Sequence, residues 1–99
     1  MKGYVPQPID TSKVIVSDEI KEIAEFLAKN THEVWSKGKM EEGWIHGDVL
    51  DYDLKTHPDL IPYEQLSEAK KDYDRRTSLE TLKVILNERY RIVKTEESI

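Results

Sequence analysis

The sequence predicts an α+β, mainly helical domain with three principal helices and short antiparallel β-strands. Three observations predict it. Residues 17–37 repeat apolar side chains at helical spacing behind a serine of N-cap type. Two later segments, 62–73 and 78–88, each open on a helix-start signal and carry an apolar stripe. Short β-branched runs fall outside these segments, at 14–16 and 90–93, close to a proline-rich arm.

The arm comes first. Pro6 and Pro8 fix φ, remove two backbone donors and push Val5 and Gln7 to extended geometry, so residues 3–12 are read as an extended arm or edge strand. Lys13-Val14-Ile15-Val16 follows as a strand. Ser17 then starts a helix, with Asp18 and Glu19 in the first turn, where the helix dipole favours acid. Ile20, Ile23, Leu27, Val34 and Trp35 mark its apolar face, with Ala24 and Ala28 beside them. Gly38, just after Lys37, is read as the stop, which makes the helix about 30 Å long.

Residues 38–61 are irregular, punctuated by Gly43, Gly47 and Pro58, and Trp44 is expected to anchor them. Pro62 suits the first turn of a second helix, with Leu66, Ala69 and Tyr73 facing inward. Asp74-Arg75-Arg76 is read as a break. Thr77-Ser78-Leu79-Glu80 fits a capping box ahead of a third helix that presents Leu79, Leu82, Ile85 and Leu86. The expected core is Ile20, Ile23, Leu27, Trp44, Leu66, Leu79, Leu82 and Ile85. Residues 1–99 form one domain with its core at about 4–93 and a frayed tail over 94–99.

Charge and composition exclude several functions. With 15 basic and 20 acidic residues the net charge is −5. Residues 1–50 hold 6 basic and 9 acidic side chains, and residues 51–99 hold 9 and 11, so neither half offers the basic excess that nucleic acid or an anionic membrane attracts. No apolar run approaches the roughly 20 residues that span a bilayer, and the first ten residues lack the apolar stretch of a secretory signal. The absence of cysteine removes disulfides, thiolate zinc sites and thiol nucleophiles. A cytoplasmic protein without nucleic-acid or membrane partners is expected.

The three histidines, His32, His46 and His57, show no metal-ligand spacing, so no metal and no cofactor are expected. No nucleophile motif or phosphate-cradling glycine loop occurs. Two features stand out. His32 and Trp35, at i and i+3, share one helix face. They form either a stacking platform, with the indole taking a planar ring and the imidazole a polar contact, or simply the closure of the core; on composition alone core closure is the simpler account, since large aromatics are mostly buried. Lys70, Lys71, Arg75 and Arg76, with Lys83 further on, either receive a phosphate or form a solvated helix end.

The motifs together resemble the RyR domain, the repeat found in tandem pairs in ryanodine receptors and as a stand-alone protein in bacteria. Tyr4-x-Pro6-x-Pro8-Ile9-Asp10-Thr11-Ser12 resembles its opening, and Leu27-Ala28-x-Asn30-x-His32-Glu33-Val34-Trp35 its helix motif. Glu42-Gly43-Trp44-x-x-Gly47 is similar to its loop, and His57-Pro58-x-Leu60-x-Pro62-Tyr63 to the entry of the next helix. Lys71-x-Tyr73-Asp74-Arg75 and Glu80-Thr81-Leu82-Lys83-x-Ile85 complete the set, which spans about residues 4–93. Two departures are evident. His46 stands where the family has an aromatic residue, and Arg89 precedes Tyr90 where the family has glycine.

The resemblance implies a mainly helical α+β unit with short antiparallel strands and no catalytic activity. It implies an interaction module that pairs with a second repeat, and hence, for a single copy, a homodimer with Trp35 near the shared cleft, or docking to a larger assembly. It also implies an alternative, a sensor of an adenine-nucleotide-like molecule. In that reading Trp35 stacks, His32 hydrogen-bonds, Trp44 is a further ligand-binding residue, and Arg75, Arg76 or Lys83 meets phosphate. A hydrolytic enzyme using His32 and Glu33 is the least supported reading.

Overall fold

A computed structural model describes residues 3–96 in the order α1 (Asp18–Glu41), β1 (Ile45–His46), β2 (Thr56–His57), a 3-10 turn (Tyr63–Gln65) and α2 (Glu68–Asn87). Ser17 caps α1 as expected, its hydroxyl oxygen accepting from the Ile20 N–H at 3.2 Å. Ile20, Ala24, Ala28 and His32 then bury at successive i+4 positions. The two alanines let α2 and the 3-10 turn approach α1 closely. Ile20 and Ala24 cluster with Leu82 of α2, and Ala28 clusters with Tyr63 and Leu66.

This stripe corrects the expected core. Ile20, Trp44, Leu66 and Leu82 are buried, and Ile23 and Leu79 pack half-buried against the first cluster. Leu27 and Ile85, however, stand exposed at the margin: the buried line of α1 runs through Ala28, one position from Leu27, and that of α2 through Ser78 and Leu82. Leu60, Tyr63, Thr11 and Ser78 take buried places that the reading left out.

The helix count also changes: two α-helices, not three. Pro62 leads only into the 3-10 turn, and Ser67 caps α2, accepting from the Lys70 N–H at 3.3 Å. α2 then runs through Asp74-Arg75-Arg76 without a break. The supposed capping box has no helix end to cap. The Thr77 hydroxyl donates back to the Tyr73 carbonyl and the Thr81 hydroxyl to the Thr77 carbonyl, both at 3.0 Å, while the Glu80 carboxylate accepts from the Thr11 hydroxyl at 2.7 Å. Ser78 is buried. Side chains that would have served an exposed terminus are spent on backbone carbonyls one turn earlier and on the N-terminal arm.

The sheet is parallel, not antiparallel, and lies elsewhere. β1 pairs with β2 in the register Ile45–Thr56 and His46–His57. The Ile45 N–H donates to the Lys55 carbonyl at 2.9 Å. Between the strands, Asp51 and Thr56 exchange two backbone hydrogen bonds at 3.0 Å, and Asp51 Oδ1 accepts from the Asp53 and Leu54 amides. Lys55 turns the chain with φ 55°. The β-branched segments expected as strands instead lay side chains onto the helices: Val16 and Ile92 pack against the first core cluster. Of the expected frayed tail, 97–99 lie outside the described residues.

The helix ends use glycine differently from the expectation. α1 passes through Gly38 and closes at Gly43, whose φ is +93°. There the Gly43 N–H donates to the Met40 carbonyl and the Trp44 N–H to the Lys39 carbonyl, both at 3.0 Å, which is the Schellman pattern. Lys55 Nζ adds a bond to the Glu42 carbonyl at 2.9 Å. α2 ends in the same pattern, Arg89 N–H to Leu86 and Tyr90 N–H to Ile85, but the left-handed residue is Arg89, with φ 71°. No helix among the described residues is long and apolar enough to cross a membrane.

Arg89 therefore carries a Cβ where the cap wants none, and Gly38 lacks one where the helix wants it. A Cβ on Gly38 meets nothing within 4 Å. Arg89→Gly and Gly38→Ala should each raise stability by about 0.5–1 kcal/mol in urea unfolding. A loss from either substitution would contradict these end assignments.

Candidate functional site

His32 closes the buried stripe of α1, 6% exposed. Its Nε2 lies 2.7 Å from the Ile61 carbonyl oxygen, so that nitrogen carries the proton and donates. Ser36 Oγ lies 3.4 Å from the same nitrogen. Three residues on, Trp35 stacks beside the imidazole, with centroids 5.6 Å apart and planes at 27°. Trp35 also meets His57 of β2 in a T-shaped contact, at 4.9 Å and 78°. His57 is itself fixed, because its Nδ1 accepts from the Asp59 N–H at 3.0 Å.

The rings continue on both sides. Trp44 lies 6.2 Å from His57 and 5.6 Å from Tyr52, and Lys39 Nζ stands 5.1 Å over the Trp44 ring. Tyr63 lies 6.3 Å from His32. Six rings thus connect the β1–β2 loop to the 3-10 turn, and at His32 and Trp35 the row borders a pocket.

That space is a pocket of about 280 Å³ between α1 and α2. Thr31, His32 and Trp35 line it from α1, Lys70, Tyr73 and Asp74 from α2, and Asp59 and Leu66 from the link between them. Lys70 forms an ion pair with Asp59 across its rim. Burial raises the Asp74 carboxyl above the usual carboxylate value, and the nearby His32 offsets part of that rise. Two carboxylates against one ammonium make the lining acceptor-rich. The pocket can stack a flat ring on indole and accept hydrogen bonds from its edge.

The residues singled out from sequence do not all meet here. His32 and Trp35 line the pocket. Trp44 is buried at 8% exposure and supports it from behind His57. Arg75 instead reaches Glu25 at 2.6 Å, Asp72 at 2.8 Å and Glu68 at 3.3 Å, on the side where the Tyr63 hydroxyl also donates to Glu25. Arg76 lies beside the N-terminal arm with Pro8 and Ile9. Lys83 pairs with Glu80. The expected phosphate-binding cations are therefore dispersed over α2.

Thr31, Asp59, Leu66, Tyr73 and Asp74 line the pocket without having been singled out from sequence as site residues, and Lys70, read there as one of a phosphate-facing cluster, lines it paired with Asp59. The i+3/i+4 spacing of Lys70, Tyr73 and Asp74 was a usable signal. It was hidden by the break placed at Asp74, since only a continuous helix puts them on one face.

A family model described as the RyR domain matches residues 4–94 of this chain. The matched span contains both helices, the parallel pair and every residue of the pocket.

Glu25 and Asp74 contribute to the pH response with opposite shifts. Hydrogen bonding from Arg75 holds Glu25 below its ordinary 4.5, so its contribution is present above that value and is lost as the pH falls through the lowered one. Asp74, raised by burial, opposes folding once ionised, and this penalty fades as the pH falls toward 3.8. In urea unfolding against pH, Glu25→Gln should flatten the acid-side loss of stability. Asp74→Asn should be more stable than the parent at pH 7, with the gap closing in acid. Parallel curves for all three proteins would contradict both assignments.

Proposed function

This chain belongs to the RyR domain family, and from that membership we propose that it is a non-catalytic cytoplasmic module that senses a small planar ligand and pairs with a second copy of itself or docks to a larger assembly. The observation that carries the ligand reading is the placement of Trp35. It stands half-buried at the wall of a pocket, braced by His32 and His57, where a core tryptophan would be covered on every side. Aromatic rings stack face to face with an offset, which suits a flat heterocycle against a fixed indole.

The size and charge of the pocket narrow the ligand. Small-molecule sites typically offer about 300–1,000 Å³. At about 280 Å³ this one takes a single ring system. Asp59 and Asp74 suit an amine or ring N–H, as adenine provides. Arg75 and Lys83 are engaged by carboxylates elsewhere, so a nucleotide would bind by its base with its phosphates directed to solvent. His32 holds its Nε2 proton for Ile61, and its other ring nitrogen has no protein partner among the described residues. That nitrogen is an acceptor available to the ligand.

Fluorescence titration tests this reading. In a Trp44→Phe background, where Trp35 alone reports, adenosine should change the emission and bind at least as tightly as ATP. Trp35→Ala should remove binding, read by calorimetry, while circular dichroism keeps its helical signature. Silence from both adenosine and ATP at millimolar concentration would remove the adenine reading. ATP binding much tighter than adenosine would show that cations reach the phosphates after all.

A further inference from the structure

A second hollow lies on the far side of α1. Phe26 precedes Trp35 by nine residues, about two and a half helical turns, so the two side chains leave α1 in opposite directions. Phe26 is 75% exposed, and it borders a groove of about 530 Å³ between α1 and the segment after α2. Ile15 and Val93, 93% and 72% exposed, belong to the same groove. Three bare apolar side chains around one concavity are more than the scattered exposure of an ordinary surface.

The rim is charged in a particular way. α1 supplies Glu19 and Glu22, while the C-terminal segment supplies Arg91 and Lys94. None of the four side chains forms an ion pair or hydrogen bond among the described residues. One wall is acidic and the other basic. A two-fold axis running along the groove, in the plane of contact, exchanges left for right. It sets the acidic wall of one copy over the basic wall of the next, twice per contact. Any other partner would need an independent match to both walls, whereas this chain matches itself.

We propose that this groove is the self-association face, with Phe26 of each copy entering the groove of its partner and Glu19 and Glu22 meeting the partner's Arg91 and Lys94. The inference deepens the self-pairing reading above and gives it a surface. It also sets the dimer away from Trp35, so each copy keeps its ligand pocket open.

Charge reversal tests it by sedimentation at high micromolar concentration. Glu22→Lys alone places like charges together and should weaken self-association by roughly tenfold or more, and Arg91→Glu alone should do the same. A mixture of the two variants restores opposite charges at both contacts and should form heterodimers as tightly as the parent forms homodimers. Phe26→Glu should be monomeric with unchanged circular dichroism and unchanged adenosine binding. Single reversals and Phe26→Glu that stay dimeric would overturn this face while leaving self-pairing intact. A monomeric parent protein would overturn both.

Discussion

One hydrogen bond organises the functional half of this molecule, from His32 Nε2 to the carbonyl oxygen of Ile61 at 2.7 Å. The imidazole is buried, and a buried polar group left without a partner costs about 1–3 kcal/mol. The link between β2 and α2 must therefore run where Ile61 can accept that proton. Leu60, Tyr63 and Leu66, all buried, are brought with it onto α1. The pocket is the gap that remains between this tie and the first turns of α2.

The same bond orients the ring row. With Nε2 committed, the plane of His32 is set, Trp35 stacks along it, and His57 meets the indole at a near right angle. Aromatic pairs of this kind add about 0.5–1.5 kcal/mol each beyond the area they bury. The short parallel pair delivers His57 to that row, and the Schellman bond of Trp44 to Lys39 delivers the indole beside it. Gly47 shows how tightly: a Cβ there would come within 2.6 Å of the Thr56 Cβ, so only glycine lets β1 close against β2.

What could be read from the sequence was mostly what is decided locally. Ser17 with two acids behind it specifies a helix start by its own hydrogen bond, and the start is where it was expected. Trp44 as the anchor of the irregular segment and His32 with Trp35 on one face are likewise short-range statements. The failures come where a local signal had two uses. Thr77 and Glu80 have cap chemistry, but their partners, the Tyr73 carbonyl and Thr11, decide that α2 continues. Gly38 and Gly43 are both plausible stops, and the Schellman bonds of Trp44 select the second. Of the strand-like runs at 14–16 and 90–93, Val16 and Ile92 pack onto the helices, a demand that β-branched side chains meet equally well, while Ile15 and Val93 stay exposed. The parallel pair depends on Lys55 turning left-handed and on Asp51 closing its loop, neither of which periodicity reports. Arg75 was a reasonable phosphate ligand by type, but three carboxylates from two helices claim it.

The proton on one nitrogen of His32 ties the link to α1, and long-range proton–nitrogen NMR of the imidazole reads its position directly at neutral pH. The proton should sit on Nε2, exchange slowly with solvent and show contact with the Ile61 region, leaving Nδ1 bare toward the pocket. A proton on Nδ1, or a ring whose two nitrogens exchange rapidly, would mean that nothing ties the link to α1 and that the pocket has no fixed wall.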